Sequence, residues 1–285
     1  MGITRLVQAV GAAATESMIF SSISHSTEEA FAAASHAANW RSKTRLAADF
    51  IISRLLKHVE LPNYNALRCI LMDGLKVDYR FNRGDLQSLK EVFFDHSYDV
   101  AIPFQPRTIL DLGANIGMAS LWLWQKYQPE KIIAVEPDPS NAEIAARNLS
   151  GNAVRSEVLR AAVGSTTGTA WLAQRAESNL GEVLSRSPTN SKTAIEVPVI
   201  GIAELMARFG NGGVDLVKMD IEGAEGALLG GDLAWLGGVR ALVVEFHADR
   251  VDSAKLIQRV QAAGFTHSQV NVARQENLSL FVRKY

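Results

Sequence analysis

Cysteine is almost missing from this chain: Cys69 stands alone among 285 residues. An internal disulfide is excluded, and a reducing, cytoplasmic setting is the simple expectation. Cys69 sits between Leu67 and Leu71, an apolar context in which a buried, inert thiol is expected. No apolar run approaches the roughly 18 residues of a membrane span. Charge of one sign is lacking too. With 29 basic and 30 acidic side chains the net charge is −1, so no general positive field draws nucleic acid. A soft metal has no paired-histidine or cysteine spacing to bind. The N-terminus has Met1-Gly2, but Leu6 stands where a myristoylation signal wants Ser or Thr. The apolar stretch from Leu6 to Thr15 is short, alanine-rich and followed by no convincing cleavage site.

Two phosphate-binding signatures are also absent. One stretch, Thr108-Ile-Leu-Asp-Leu-Gly-Ala-Asn-Ile-Gly117, reads as a strand, a glycine loop and the start of a helix running from Met118 to Tyr127. This is the opening of a nucleotide-binding α/β unit. Its spacing is Asp-x-Gly-x-x-x-Gly. It therefore has neither the three-glycine dinucleotide fingerprint nor the Gly-Lys-Ser/Thr ending of a P-loop. A ligand gripped by its pyrophosphate is disfavoured. A second strand, Lys131 to Glu136, ends in Glu136-Pro137-Asp138. An acidic residue there is placed to accept bonds from both ribose hydroxyls, and Pro137 is placed to stack beneath an adenine. An adenosine without phosphates, carrying a cation that Asp111 can face, fits these residues. S-adenosylmethionine (SAM) is such a ligand.

Two later segments complete the pattern: Val217-Lys-Met-Asp-Ile-Glu-Gly-Ala-Glu225 and Val244-Glu-Phe-His247. Together with Leu112-Gly-Ala-Asn-Ile-Gly117 and Val135-Glu-Pro137, in this order, they resemble the FkbM family of SAM-dependent methyltransferases over about residues 80 to 285. The resemblance implies an α/β, Rossmann-like sheet of seven strands with helices on both faces. It implies SAM held by Asp111, Gly113, Asn115, Gly117, Glu136, Pro137 and Asp220. Ala161 and Ala162 fall at the rim where the family contacts adenine. It also implies a small-molecule acceptor with a hydroxyl group, on a sugar, glycolipid or polyketide-like metabolite.

Three regions follow from the chain order. Residues 1–62 read as a helical N-terminal extension: a weak helix over 3–20, a Ser26–Glu29 capping box opening a helix to about Asn39, and an amphipathic helix from about Lys43 to His58. Such an appendage serves as a lid or pairs subunits into a homodimer. Residues 63–105 read as a hairpin turning at Asp73-Gly74, a turn at Asn82–Asp85 and a helix over Leu86–Phe94. Asp85, His96 and Tyr98 belong to this segment, and Tyr98 is the one assigned to the acceptor. Residues 106–285 form the SAM-binding domain. Within it, 165–199 has a different texture, expected to be an exposed hairpin with a mobile tip. Asn179, Arg186 and Ser187 are the candidate contacts there.

Methyl transfer is an in-line displacement at carbon, so catalysis is largely a matter of holding nucleophile and methyl at near-attack distance. An alcohol must also lose a proton to a positioned base. Asp220, Glu222, Glu245 and His247 lie at the ends of neighbouring strands and are expected to converge. His247 is the natural base, Asp220 the carboxylate nearest the methyl, Glu222 a further catalytic candidate and Glu245 an acceptor contact. Oxygen ligands on two strands would also suit a hard cation; the resemblance does not require one, and no metal site is assigned. N-methylation is the alternative chemistry, although the Asn/Asp-Pro-Pro-Tyr/Phe motif usual for it is replaced by Asp220-Ile-Glu222. A non-catalytic partner is disfavoured by the intact Asp111, Gly113, Gly117 and Glu136.

Overall fold

The computed structural model describes residues 29–55, 65–173, 182–184, 194–270 and 278–284. They divide into two compact units, residues 1–77 and 78–285. In the first, a helix over 29–36 precedes α1 (Trp40–Leu55). A strand pair follows, β1 (Leu67–Met72) and β2 (Leu75–Arg80). Asp73 and Gly74 turn it with φ of 47° and 81°, as a tight two-residue hairpin requires. Cys69 lies on the outward side of β1 and is exposed, which corrects the expectation of a buried thiol: β1 alternates, and only Ile70 and Met72 face inward. The helix over 3–20 and Ser26 lie outside the described residues.

The second unit opens with α2 (Arg83–Leu89), running directly into a π-helical turn over Lys90–Phe94. The helix begins before Leu86 because Asn82 accepts the Asp85 amide at 2.8 Å and caps it. Then come β3 (Thr108–Leu112), α3 (Met118–Tyr127), β4 (Lys131–Val135), α4 (Pro139–Gly151) and β5 (Ser156–Leu159). A second stretch of strands holds β6 (Ala162–Gly164), β7 (Gly168–Ala173), β8 (Glu182–Leu184) and β9 (Ala194–Gly201). After α5 (Ile202–Ala207) the alternation resumes with β10 (Val214–Met219), α6 (Glu225–Gly230), β11 (Val239–Glu245) and α7 (Ser253–Ala262). The chain closes with β12 (Phe265–Gln269) and β13 (Leu278–Arg283).

The main sheet has seven strands in the order β12-β13-β11-β10-β3-β4-β5. β5, β4, β3, β10 and β11 run parallel, and β13 is antiparallel to both β11 and β12. The parallel strands read as continuous apolar runs because helices cover both faces. Ile109, Leu110, Leu112, Ile132, Ile133, Leu216, Val217, Ala241 and Leu242 are all at most 1 % exposed. Strand order reverses between β3 and β10, so the crevice at their carboxyl ends is the switch point where α/β sheets bind ligands.

The segment after β5 is more than a hairpin. β6 pairs in parallel with β9, and β7 lies between β9 and β8, which makes a separate four-stranded sheet. Leu172 and Val197 give it a small core of its own with Ala162. Asn179, Arg186 and Ser187 lie outside the described residues.

Candidate functional site

The loop between β3 and α3 is built from left-handed backbone. Gly113, Asn115 and Gly117 have φ of 77°, 48° and 84°. A Cβ on Gly113 would stand 1.7 Å from the Asp220 carbonyl oxygen. Only glycine lets the loop pass this close to the end of β10. The amides of Gly113 and Ala114 both donate to the Val135 carbonyl at 3.0 Å, which ties the loop to β4.

Glu136 follows β4 and is nearly buried. Its Oε2 accepts the Asn115 amide at 2.8 Å, and its Oε1 accepts the Asp138 amide at 3.0 Å and the Asn141 side-chain amide at 3.5 Å. Burial pushes its carboxyl up to about 7 against these stabilising bonds. A carboxylate offers roughly four acceptor sites, so donors remain to be found on the Oε2 side. This acceptor edge fits the hydroxyl donors of a ribose. Asp138 caps α4 by accepting from the amides of Ser140 and Asn141. Asn141 in turn receives a bond from Arg80 at 2.6 Å, and Arg80 is paired with buried Asp85 at 2.8 Å. Asp85 therefore supports the Glu136 side of the site through Arg80. Pro137 is half-buried beside Glu136. Ala161 and Ala162 are fully buried, with the Ala161 amide donating to the Glu136 carbonyl at 3.1 Å; what they offer a ligand is backbone and bulk.

Asp111 lies on β3, opposite Lys218 on β10 in the parallel register. Both are buried, and their charged groups are 3.2 Å apart. Asp111 also accepts from Ser120 Oγ at 2.6 Å. Lys218 donates to the Gly113 carbonyl at 2.7 Å, lies 3.7 Å from Asp220 and sits 5.5 Å from the centre of the Tyr98 ring. Burial alone would lower the lysine's pKa; Asp111 and Asp220 outweigh it and hold the ammonium above its ordinary value. Asp111 thus acts on the site through Lys218 and the loop. Lys218 has no role in the sequence reading, although a lysine inside a buried parallel strand is itself a signal.

Tyr98 is buried, and its hydroxyl reaches Asp220 at 3.5 Å. Desolvation, with Asp220 next, keeps that phenol protonated. His96, by contrast, stacks on Trp122 with centroids 5.0 Å apart.

Of the four residues expected to converge, Asp220, Glu222 and His247 come together, joined by Glu225, while Glu245 makes no ion pair with His247. His247 Nδ1 is 3.1 Å from Glu225 Oε1, while Nε2 is 3.5 Å from Glu222 Oε2 and 3.8 Å from Asp220 Oδ1. Burial opposes the ring's charge, but the Glu225 hydrogen bond and the three carboxylates push its pKa up to about 9. Glu225 is fully buried and accepts the Ile221 amide at 3.1 Å. Glu222 has φ of 54°, and Arg250 donates to its carbonyl. Burial first, and Asp220 next, push Glu245 at the end of β11 up to about 8. Glu91 is raised mainly by burial. Glu225 belongs to the segment that carries Asp220 and Glu222, and Arg250 is not singled out by the sequence; β11 carries His247 and Arg250 to that segment.

A Rossmann-like methyltransferase fold, with the buried carboxylate of Glu136 after the second core strand and a polar cluster at the end of β10 and after β11, defines the class. Residues 111–266, more than half of the chain, match the methyltransferase FkbM domain. The chain belongs to the FkbM methyltransferase family, and membership implies SAM as methyl donor. Methyltransferase sdnD of Sordaria araneosa is 31% identical over 188 residues, 55% of this chain and 72% of that protein. Methyltransferase 1 of Beauveria bassiana (strain ARSEF 2860) is 44% identical over 61 residues, 21% of this chain and 24% of that protein. Among solved structures, M. jannaschii TYW2 in complex with AdoMet aligns with a TM-score of 0.42 at 9% identity, over 79% of this chain and 90% of that one. No helix among the described residues is long and apolar enough to cross a membrane.

Proposed function

We propose that this methyltransferase is a SAM-dependent O-methyltransferase acting on a hydroxyl of a sugar, glycolipid or polyketide-like small molecule. The observation that carries the reading is the convergence of Asp220 and His247 beside the Gly113 loop, opposite Glu136. Glu136 takes the ribose hydroxyls, with Pro137 under the adenine and Ala161 and Ala162 along its edge. Gly113, Asn115 and Gly117 shape the backbone against the nucleoside. Asp111 holds Lys218, which props that loop. Tyr98 and Glu245 face the acceptor.

The proton is handled differently from the sequence expectation. Three carboxylates keep His247 protonated near neutrality, so Asp220 accepts the hydroxyl's proton and the imidazolium steadies the developing alkoxide. Glu222 and Glu225 hold the ring in place. The oxygen then attacks the methyl in line, S-adenosylhomocysteine leaves, and Asp220 returns its proton to water. The carboxylate-rich mouth also favours an ammonium group, which supports N-methylation as a second reading. An ammonium, however, has no lone pair until it loses a proton.

Incubating the protein with methyl-labelled SAM and matched panels of hydroxylated and amine acceptors tests this. Label in an ether, lost by about a hundredfold in Asp220→Asn, is the expected result. Label appearing only in amines would overturn the O-methylation reading.

A further inference from the structure

We propose that Asp220, Glu222 and His247 bind a hard divalent cation of the magnesium or manganese kind, with Glu225 as the positioning residue behind the histidine. The site rests on the methyltransferase reading and deepens it: a bound ion would replace the proton on His247, leave the ring neutral, and steady the acceptor's oxygen where the ion-free protein offers the imidazolium.

Geometry carries the proposal. One ligand atom from each of the three residues lies within 4.8 Å of the other two. The separations, 3.5 Å from Nε2 to Glu222 and 3.8 Å from Nε2 to Asp220, are too long for good hydrogen bonds. They lie between the roughly 3.0 Å of neighbouring ligands and 4.2 Å of opposite ligands around an ion with bonds of about 2.1 Å. Both separations from Nε2 thus suit ligand atoms around one ion, and the two carboxylates lie within 4.8 Å of each other.

The other nitrogen of the ring supplies a second observation. His247 Nδ1 is engaged by Glu225 Oε1 at 3.1 Å. Glu225 is fully buried, and its other oxygen, Oε2, is buried without a hydrogen-bond partner. A carboxylate fixing one ring nitrogen while the other points at two carboxylates is the carboxylate–histidine–metal arrangement. Burying Glu225 in this way costs several kcal/mol if it serves only to tether a helix start.

Charge gives a third. With a neutral, ligating imidazole, Asp220, Glu222 and Glu225 bring three negative charges, and Arg250, 3.5 Å from Glu222, cancels one. Lys218, 3.7 Å from Asp220, is matched by Asp111, so two remain, the charge that a divalent ion neutralises. One nitrogen and two carboxylates suit magnesium or manganese better than a thiophilic metal. Three protein ligands leave about three positions of an octahedron. These suit an acceptor with two neighbouring oxygens, such as adjacent hydroxyls or a hydroxyl beside a carbonyl.

Manganese(II) chloride is titrated calorimetrically into the full chain, with and without S-adenosylhomocysteine, and the spin signal of bound manganese is followed in parallel. We expect one saturable site. Affinity falls about tenfold or more in Glu222→Gln and in Glu225→Gln and is lost in His247→Ala. Magnesium competes for the site. Absence of saturable binding, or binding indifferent to all three variants, overturns the proposal. S-adenosylhomocysteine binding in metal-free protein is the control: if it holds while manganese fails, only the metal site falls, and if it fails as well, the methyltransferase reading of the site falls with it. Should His247→Ala not fold, His247→Gln with Glu222→Gln decides the outcome.

Discussion

At the residue scale, Gly113 and Glu136 show how tightly the site constrains single side chains. A Cβ at position 113 meets the Asp220 carbonyl at 1.7 Å, a backbone atom that no rotamer change can move aside. Gly113→Ala is expected to cost at least about 3 kcal/mol, or to prevent folding; denaturant titration measures it. Gly74→Ala is the control, since nothing lies within 4 Å of its Cβ and only its φ of 81° resists. Glu136 has the opposite character. Its carboxyl is raised to about 7 by burial, so the fold favours its protonated form. The corresponding stability is fully present below about pH 4.5 and is lost as pH rises through about 7, on the order of 3 kcal/mol in all. Thermal scans of ligand-free protein from about pH 5 to 8 should show this loss, and Glu136→Gln should flatten it. Binding runs the other way. Ribose hydroxyls donate best to the ionised carboxylate, so S-adenosylhomocysteine affinity rises with pH across that window. In Glu136→Gln it falls by about tenfold or more with little pH dependence. Affinity unaffected by the substitution would remove Glu136 from the ribose contact.

At the scale of elements, much was legible and the gaps have physical causes. β3, α3 and β4 follow their sequence patterns, because buried parallel strands leave apolar runs and α3 begins at a glycine. Asp220, Glu222, Glu245 and His247 could be placed from two strand ends alone. Lys218 could not: its role comes from facing Asp111 across the ladder, a register that sequence does not print. The four-stranded sheet was missed because β6 is three residues long and finds its partner, β9, only after a long excursion. The start of α2 was misplaced because Asn82 looked like a turn residue and is a cap. Arg80 links that helix to the cofactor side: it bonds Asp85, Ser140 Oγ at 2.7 Å and Asn141. Asp85 is wholly buried. Arg80→Met therefore leaves a buried carboxylate without its cation and should cost about 3 to 5 kcal/mol. Because Asn141 also touches Glu136, S-adenosylhomocysteine binding should weaken further in whatever fraction stays folded. Calorimetric titration at low temperature, where the variant remains folded, checks that link.

At the scale of the molecule, the contacts divide between residues 1–77 and 78–285, yet all the proposed site residues, from Tyr98 to His247, belong to the second. The division falls inside β2. Two consequences compete. A ligand that binds only the second unit stabilises that unit by mass action, by about 2.7 kcal/mol at a hundred times its dissociation constant. If the units unfold separately, S-adenosylhomocysteine raises one calorimetric transition and leaves the other in place. If the strand they share couples them into one cooperative body, a single transition moves as a whole. The second unit has a hydrophobic core of its own. Two transitions are therefore expected, with only the larger shifted by ligand. A scanning calorimetry trace of the full chain with and without S-adenosylhomocysteine decides between them, and a single peak shifted intact would mean that residues 1–77 draw their stability from the ligand-binding unit.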